Sequence, residues 1–235
     1  MIKFTNDFDF PIKIIKSNRK KTASIKLKTD IFEIRVPKRL SNNQIKDLII
    51  NWSSWMKKKL NESKNYSTVQ INKYRNGEKF LYLGRSYILK IASGNTTSIK
   101  LKGGVFELIV KEKHINNSDE IKSLLSKWYI NHAEKYLYEK TILYSKIINV
   151  QPKSIRIKKY KSKWGSCSYN GNISYSWPII MSPIKIIDYL VVHELCHLME
   201  HNHSNLFWQK VQNYVPDYMF RKKYLNLNSK NWVFD

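Results

Sequence analysis

Only two cysteines, Cys167 and Cys196, occur among the 235 residues. That is too few for a disulfide framework, so the fold must rest on packed cores. Long apolar runs are also missing. None approaches the roughly 18 residues needed to span a bilayer, which excludes a helical membrane anchor within this sequence. The opening stretch, MIKFTNDFDFPIKII, has no basic region followed by an apolar one, so no signal peptide is expected. These absences together point to a cytoplasmic protein. Acidic residues are few: 18 against 42 basic ones, a net charge of +24 and a pI near 9.9. Such a surface makes nucleic acid a candidate partner. Arginine is scarce too, with seven among the 42, which leaves 35 lysines. Those lysines are spread along a chain also rich in Asn, Ile and Tyr, as an AT-rich genome would produce. Arginine is the better phosphate clamp, so the charge alone is weak evidence of nucleic-acid binding. Neither a Walker-type loop nor an Asp-rich magnesium cluster is present.

What is present begins with a repeat. SIKLKTDIFEIRV (Ser24 to Val36) returns as SIKLKGGVFELIV (Ser98 to Val110). Each copy reads as two strands joined by a tight turn, Thr29-Asp30 in one and Gly103-Gly104 in the other. Strands also precede each copy, PIKII near residue 13 and SYILKI near residue 89. A helical pattern follows each. In the first, Ser41 and Gln44 form a capping-box signature, and Ile45, Leu48, Ile49 and Trp52 share a face. In the second, Ser118 is the expected N-cap, and Ile121, Leu124, Leu125 and Trp128 fall at the same intervals. Trp52, Trp55 and Trp128 are therefore read as core residues. NESKNYSTVQINKYRNG, residues 61–77, is the linker between copies. The second helix is expected to run from Ser118 to about Ile148.

After Pro152 the pattern changes. SIRIKKY alternates like a half-buried strand. KWGSCSYNGNISYSW reads as a hairpin turning at Asn170-Gly171. MSPIKIIDYLVVHELCHLME reads as a helix with Ser182 as N-cap and Pro183 at its first position. Further helices are expected from Ser204 and near Pro216. The predicted fold class is α+β: a duplicated β-hairpin-plus-helix N-terminal region, residues 1–114, then a small catalytic domain with an active-site helix, residues 115–235.

That last helix carries HELCHLMEHNH, four of the chain's six histidines within eleven residues. His193 and His197 lie at i and i+4, on one face, about 6 Å of rise apart. Two imidazoles so placed can converge on one zinc. Glu194 sits about 100° round the helix, within reach of a water on that metal but poorly placed to ligate. His201 continues the series at i+8. On a straight helix it lies about 12 Å from His193, too far to share the ion. If the helix ends near His201-Asn202, with Asn202 in a left-handed turn, His203 can fold back. The step from His197 to His203 is the step between the last two ligands of H-E-x-x-H-x-x-G-x-x-H. Where that pattern has Gly, this chain has Glu200, so its turn must be built differently. His203 is favoured over His201, with Asp217 as another choice. Three ligands leave a position open for water, which suits hydrolysis of a peptide bond with Glu194 as general base. Tyr218, Tyr214, Tyr175 and Arg221 are candidates for stabilising the oxyanion. Cys196 and Cys167 are read as packing, and His114 and His132 as structural.

KWGSCS (Lys163 to Ser168), HELCH, NHS (Asn202 to Ser204), FW (Phe207-Trp208) and PDY (Pro216 to Tyr218) together resemble the YgjP-like metallopeptidases, bacterial zincins related to the SprT-like and WLM groups. NRKKTASIKL, VPKRLS and GEKFLYLGRSY extend the resemblance over nearly the whole chain. It implies a zincin-like catalytic domain, zinc on His193, His197 and His203, and catalysis by Glu194. It also implies that the strand bearing Trp164, Gly165 and Ser166 lies beside the active-site helix, where an extended peptide substrate could add to its edge. Cys196 departs from the family's usual Ala. The alternatives are a zinc-dependent nucleotide phosphohydrolase, which shares the chemistry and would suit an anionic substrate, and a nucleic-acid-associated protease.

Overall fold

The structure is a computed structural model and describes residues 10–19, 21–28, 31–64, 72–160, 162–232 and 234. The chain parts into two compact units, Met1–Val69 and Gln70–Asp235. Among the described residues the architecture is α+β, with five α-helices and three small sheets. None of those helices is long and apolar enough to cross a membrane.

The first unit runs β1 (Ile12–Ser17), β2 (Ser24–Lys28), β3 (Ile31–Pro37) and α1 (Asn42–Lys64). Its sheet has the order β1-β3-β2, with β1 parallel and β2 antiparallel to β3. The Thr29-Asp30 turn lies outside the described residues. Along β3 the alternation buries Phe32, Ile34 and Val36 completely, the period of two that a one-sided sheet demands. They form one core with Ile45, Ile49 and Met56 of α1. The capping box closes as expected: Ser41 N donates to Gln44 Oε1, and Gln44 N to Ser41 Oγ. Trp52 packs against this core, but Trp55 does not belong to it as expected: it is 43% exposed. Three residues past Trp52, it falls off the stripe, although its ring lies 6.4 Å from that of Phe32.

The second unit opens with β4 (Lys79–Tyr82), then repeats the first: β5 (Arg85–Ser93), β6 (Ser98–Lys102), β7 (Val105–Val110) and α2 (Ser118–Ile148). Its sheet order is β4-β5-β7-β6, with β5 parallel and β6 antiparallel to β7. The duplication seen in the sequence is therefore a duplicated βββα topology. Gly103 and Gly104 both take positive φ, as a two-residue hairpin turn of the primed kind requires. The N-cap of α2 is Asn117, whose side chain accepts from Glu120 N, rather than Ser118.

The rest comprises β8 (Ser154–Lys158), β9 (Gly165–Cys167), β10 (Asn172–Ser176), a 3-10 turn over Trp177–Met181, α3 (Ile184–Cys196), α4 (Asn205–Tyr214) and α5 (Tyr218–Asn228). The sheet order is β8-β10-β9, which leaves β9 at an edge. The β9–β10 hairpin turns through three residues, with Gly171 alone at φ 73°, rather than the two expected at Asn170-Gly171. Helix α3 is capped by Pro183, whereas Ser182 makes no capping bond. Its Ile186, Ile187, Leu190 and Val191 are buried.

One core joins all of this to the second repeat. Phe80, Leu89 and Phe106 belong to the same cluster as Leu137, Ile187 and Val191. The boundary expected after His114 is therefore not where the units part, because the second repeat shares its core with α3, α4 and α5. The turn between β4 and β5 helps to set α3. Leu83 N donates to Ile180 O, and Gly84 N to Met181 O. Gly84 has φ 78°, and a Cβ there would stand 2.7 Å from Pro183 Cα. Only glycine allows both the backbone angle and that approach.

Candidate metal centre

Helix α3 ends at Cys196, earlier than the sequence suggested. His197, the C-cap residue, remains in the right-handed helical region. Leu198, Met199 and Glu200 then close a short turn back on Leu195 and Cys196. No residue of this turn takes a positive φ, so neither glycine nor a left-handed Asn202 is used. A side chain holds it instead: His197 Nδ1 donates to Glu200 O at 3.0 Å. Since a carbonyl only accepts, that bond places the proton on Nδ1. It leaves the Nε2 lone pair free for a metal, the usual second-shell arrangement.

The chain then returns as foreseen. Ser204 N donates to Asn202 Oδ1, and Ser204 Oγ accepts from Phe207 N, capping α4. That cap aims two aromatic rings. Phe207, fully buried, lies 4.5 to 5.0 Å from the rings of His193, His197 and His203. Trp208 stacks on His203 at 5.4 Å.

His193, His197 and His203 are thus brought together, with one ligand atom from each all within 4.8 Å. The Nε2 atoms of His193 and His203 are 3.1 Å apart. Tetrahedral bonds of about 2.0–2.1 Å imply separations of about 3.3–3.4 Å between ligand atoms, so the donor set fits one small ion. Burial pushes His193 down to about 3, helped by His197, His203 and Lys222, and it also lowers His197 and His203. All three are neutral near pH 7, the state in which imidazole binds a metal.

His201 stands outside this cluster. It is exposed, its ring 4.4 Å from that of Tyr169. Asp217 is outside as well, paired with Arg221 at 2.8 Å.

Glu194 is 4% exposed, and burial pushes its carboxyl up to about 8, opposed by Lys163. Its Oε2 has no hydrogen-bond partner. An unpartnered carboxyl oxygen lining the same cleft as His193 and His203 suits proton transfer to and from a water on a metal there. The reason it can sit there is Gly165. A Cβ on Gly165 would lie 2.7 Å from Glu194 Cδ and 2.8 Å from Cγ, and against Oε1. Sequence reasoning picked Gly165 for substrate binding. The structure gives it a steric duty as well.

A cleft of about 510 Å³ opens over the site. Trp164 and Gly165 line it, with His193, Glu194 and His203. Ser166 does not. Its hydroxyl lies 3.3 Å from that of Tyr160. Sequence reasoning passed over Tyr189, Leu190, Lys222, Leu225 and Asn226, which also line the cleft. Tyr189 could have been found as the residue one turn before His193. The α5 residues had no signal beyond a helical spacing of three and four.

Of the oxyanion candidates, Tyr175 is fully buried, its hydroxyl 3.2 Å from that of Thr141. Arg221 is tied to Asp217 and donates to Lys185 O. Tyr218 stacks on Trp208 at 5.2 Å, and Tyr214 is absent from the cleft lining. Cys196 packs in the core, and burial holds its thiol up at about 12. Cys167 is half-buried and raised to about 11 by burial, then by Glu194. His132 bonds Trp128 O and His114 pairs with Glu120, both structural.

Comparison with known proteins adds an independent line. Residues 21–228 match the YgjP-like metallopeptidase domain. No curated protein matches the chain. Among solved structures, the metallopeptidase zymogen of Pyrococcus abyssi abylysin aligns at 21% identity over 41% of this chain and 99% of its own, with a TM-score of 0.37. That likeness is too slight to build on. The family match is not, because it spans both repeat helices and every residue of the cleft: the chain belongs to the YgjP-like metallopeptidases.

Proposed function

We propose that the chain is a zinc-dependent peptidase in which His193, His197 and His203 hold the metal and Glu194 is the general base. One observation carries the reading: three neutral imidazoles whose ligand atoms lie within 4.8 Å, two of which, His193 and His203, line an open cleft together with a buried Glu194 carboxyl that has a free oxygen. Three nitrogen donors that leave a coordination position open suit catalytic zinc. Zinc bound there would make a water acidic enough to ionise near neutral pH and would polarise the scissile carbonyl. Glu194 takes the proton of the attacking water, holds it away from solvent, and gives it to the departing amine. Gly165 leaves room for that carboxylate. The outer edge of β9 offers backbone groups to an extended peptide, with Trp164 and Gly165 at the cleft and Ser166 behind it.

The test is metal content by elemental mass spectrometry, without added metal, for the wild type, His203→Ala and His201→Ala. One zinc per chain, lost with His203 and kept with His201, is the expected result. Zinc retained without His203 moves the third ligand elsewhere. No metal in a folded wild type, even after zinc is offered, removes the reading. Appearance of new amino termini, rather than free phosphate, separates a peptidase from the phosphohydrolase alternative, which the family membership already disfavours.

A specific observation supports nucleic acid as a further partner. In the first unit Arg19, Lys21, Lys38 and Arg39 line one concavity with Ser17 and Asn18. Two of the chain's seven arginines meet there, which dispersed lysine enrichment does not explain. Oligonucleotide binding that weakens steeply with salt and is lost in Arg19→Glu/Arg39→Glu is the expected behaviour. Unpaired thiols at Cys167 and Cys196 fit a reducing, cytoplasmic setting.

A further inference from the structure

The cleft holds a cation that the proposed hydrolysis does not use. Lys222 and Asn226 stand one turn apart on α5, and both line the cleft with His193, Glu194 and His203. Leu225, between them, is buried and anchors the helix in the core. The lysine is held in place without being neutralised. Its Nζ lies 3.8 Å from the centre of the Trp208 ring. Trp208 is in turn stacked on Tyr218 at 13° and on His203 at 23°. A cation over an indole face keeps its charge and leaves N–H donors for an acceptor.

Two neighbouring cations are treated differently, whereas Lys163, outside the cleft lining, lies over the Tyr160 ring at 4.5 Å. Arg221 pairs with Asp217, and Lys140 with Asp188. No carboxylate makes an ion pair with Lys222 among the described residues. Apart from Gly165, the remaining lining is aromatic or aliphatic: Trp164, Tyr189, Leu190 and Leu225. Glu194 is the one acid among the described lining residues, and it is buried.

We propose that Lys222 and Asn226 form a carboxylate subsite, so that the favoured substrate is a peptide with an anionic group next to the bond that is cut. The pair offers an ammonium and an amide N–H₂ from one helix face, a charge-assisted donor set for a carboxylate. The group could be an acidic side chain or the α-carboxylate at a peptide's end. The proposal rests on the peptidase reading, because it names that site's substrate class.

The test is binding of matched peptides to the full-length chain, zinc-loaded and zinc-stripped, followed by titration calorimetry. The peptides differ at one residue, Asp, Asn or Lys, and each is made with a free and with an amidated C-terminus. The expected result is about tenfold tighter binding of the carboxylate peptide than of its amide counterpart, in both metal states. Lys222→Gln should erase that ratio, Lys222→Arg should keep it, and Lys222→Glu should turn the preference toward the Lys peptide. A preference that follows the side chain assigns an internal acidic residue, and one that follows the free terminus assigns end-on binding. Equal binding of acid and amide by the wild type overturns the proposal. So does a preference that survives Lys222→Gln, above all one present only with zinc, which would mean that the carboxylate ligates the metal. Acid-over-amide binding without cleavage of any peptide would retain this subsite and remove the peptidase reading. Thermal melts of each variant check that the fold is kept.

Discussion

Substitution of Gly165 by alanine tests the site at its tightest point. The new methyl would lie 2.7 Å from Glu194 Cδ, where ordinary carbon contacts need about 3.5–4.0 Å. About 1 Å of movement is required, and neither partner moves freely. Gly165 is paired with Tyr175 of β10, and Glu194 is 4% exposed on a helix packed in the core. Overpacking of this kind costs about 1–3 kcal/mol. The gain from removing a strand glycine offsets about 0.5–1 kcal/mol of it. A net loss of about 1–2 kcal/mol lowers Tm by about 3–8 °C in a unit of this size. Activity should fall further than stability, because a base displaced by about 1 Å costs on the order of a hundredfold in rate. Zinc content should stay at one per chain, since no ligand moves. The assays are peptide turnover, elemental analysis and thermal melting. A double-mutant cycle adds a check that needs no activity: in a Glu194→Ala background there is nothing to collide with, so Gly165→Ala should no longer lower Tm. Wild-type turnover with wild-type Tm in the single variant would refute the reasoning, as would an unchanged Tm loss in the Glu194→Ala background.

Other consequences follow from the same geometry. Ser204→Ala removes the α4 cap, which costs about 1 kcal/mol, and it should loosen Phe207 under the histidines. Weaker zinc retention in a chelator competition, in a protein that still folds, checks this. Phe207→Ala, at a fully buried ring touching all three histidines, should cost about 3–5 kcal/mol and abolish zinc binding. In stripped protein the folded Glu194 carboxyl titrates near 8 and its ordinary value is 4.5, so the unfolded state holds fewer protons between them and stability falls as pH rises. The lowered histidines act in the opposite sense around and below 6.5, where the unfolded imidazoles titrate, so urea melts should show a loss of about 1 kcal/mol from pH 7 to 8, absent in Glu194→Gln.

Much of the site was legible because its signals are local. The i, i+4 spacing of His193 and His197 needs only a helix, and Ile186, Ile187, Leu190 and Val191 announce one. The return of His203 was legible as a spacing, but the turn was not. It is built by a histidine donating to a carbonyl three residues on, and no residue preference marks that bond in advance. The caps show the same limit. Ser41 with Gln44 is a reciprocal pair and was read correctly. Ser118 and Ser182 are single residues with a plausible neighbour, and Asn117 and Pro183 hold those positions instead. Contacts between elements far apart in sequence were least visible. The fit of Gly165 to Glu194 spans strand and helix, and Lys222 enters the cleft only because α5 packs on the core through Leu225.

The misplaced unit boundary has the most general cause. Both repeats fold alike, and their sequences agree where they make the same sheet. They differ in how far the buried stripe of the helix runs. Helix α1 spends its buried residues, Ile45, Ile49 and Met56, on one face, and exposes Ile50 and Trp55. Helix α2 carries buried residues along its whole length, from Ile121 and Leu125 through Ala133 and Leu137 to Thr141, Ser145 and Ile148. A helix apolar on one stripe completes a unit with its own sheet. One whose buried stripe runs the length of a 31-residue helix must be covered beyond its sheet as well, and here β8 and α3 do it. The second repeat is thus the wall on which the metal-site helix is mounted, so substitutions at Leu137 or Ala133, remote in sequence from the three clustered histidines, should weaken zinc retention while equivalent core changes at Ile45 or Ile49 leave it intact. Equal loss of zinc from both sets, in chains whose second unit still melts cooperatively, would show that the repeats are not divided in this way.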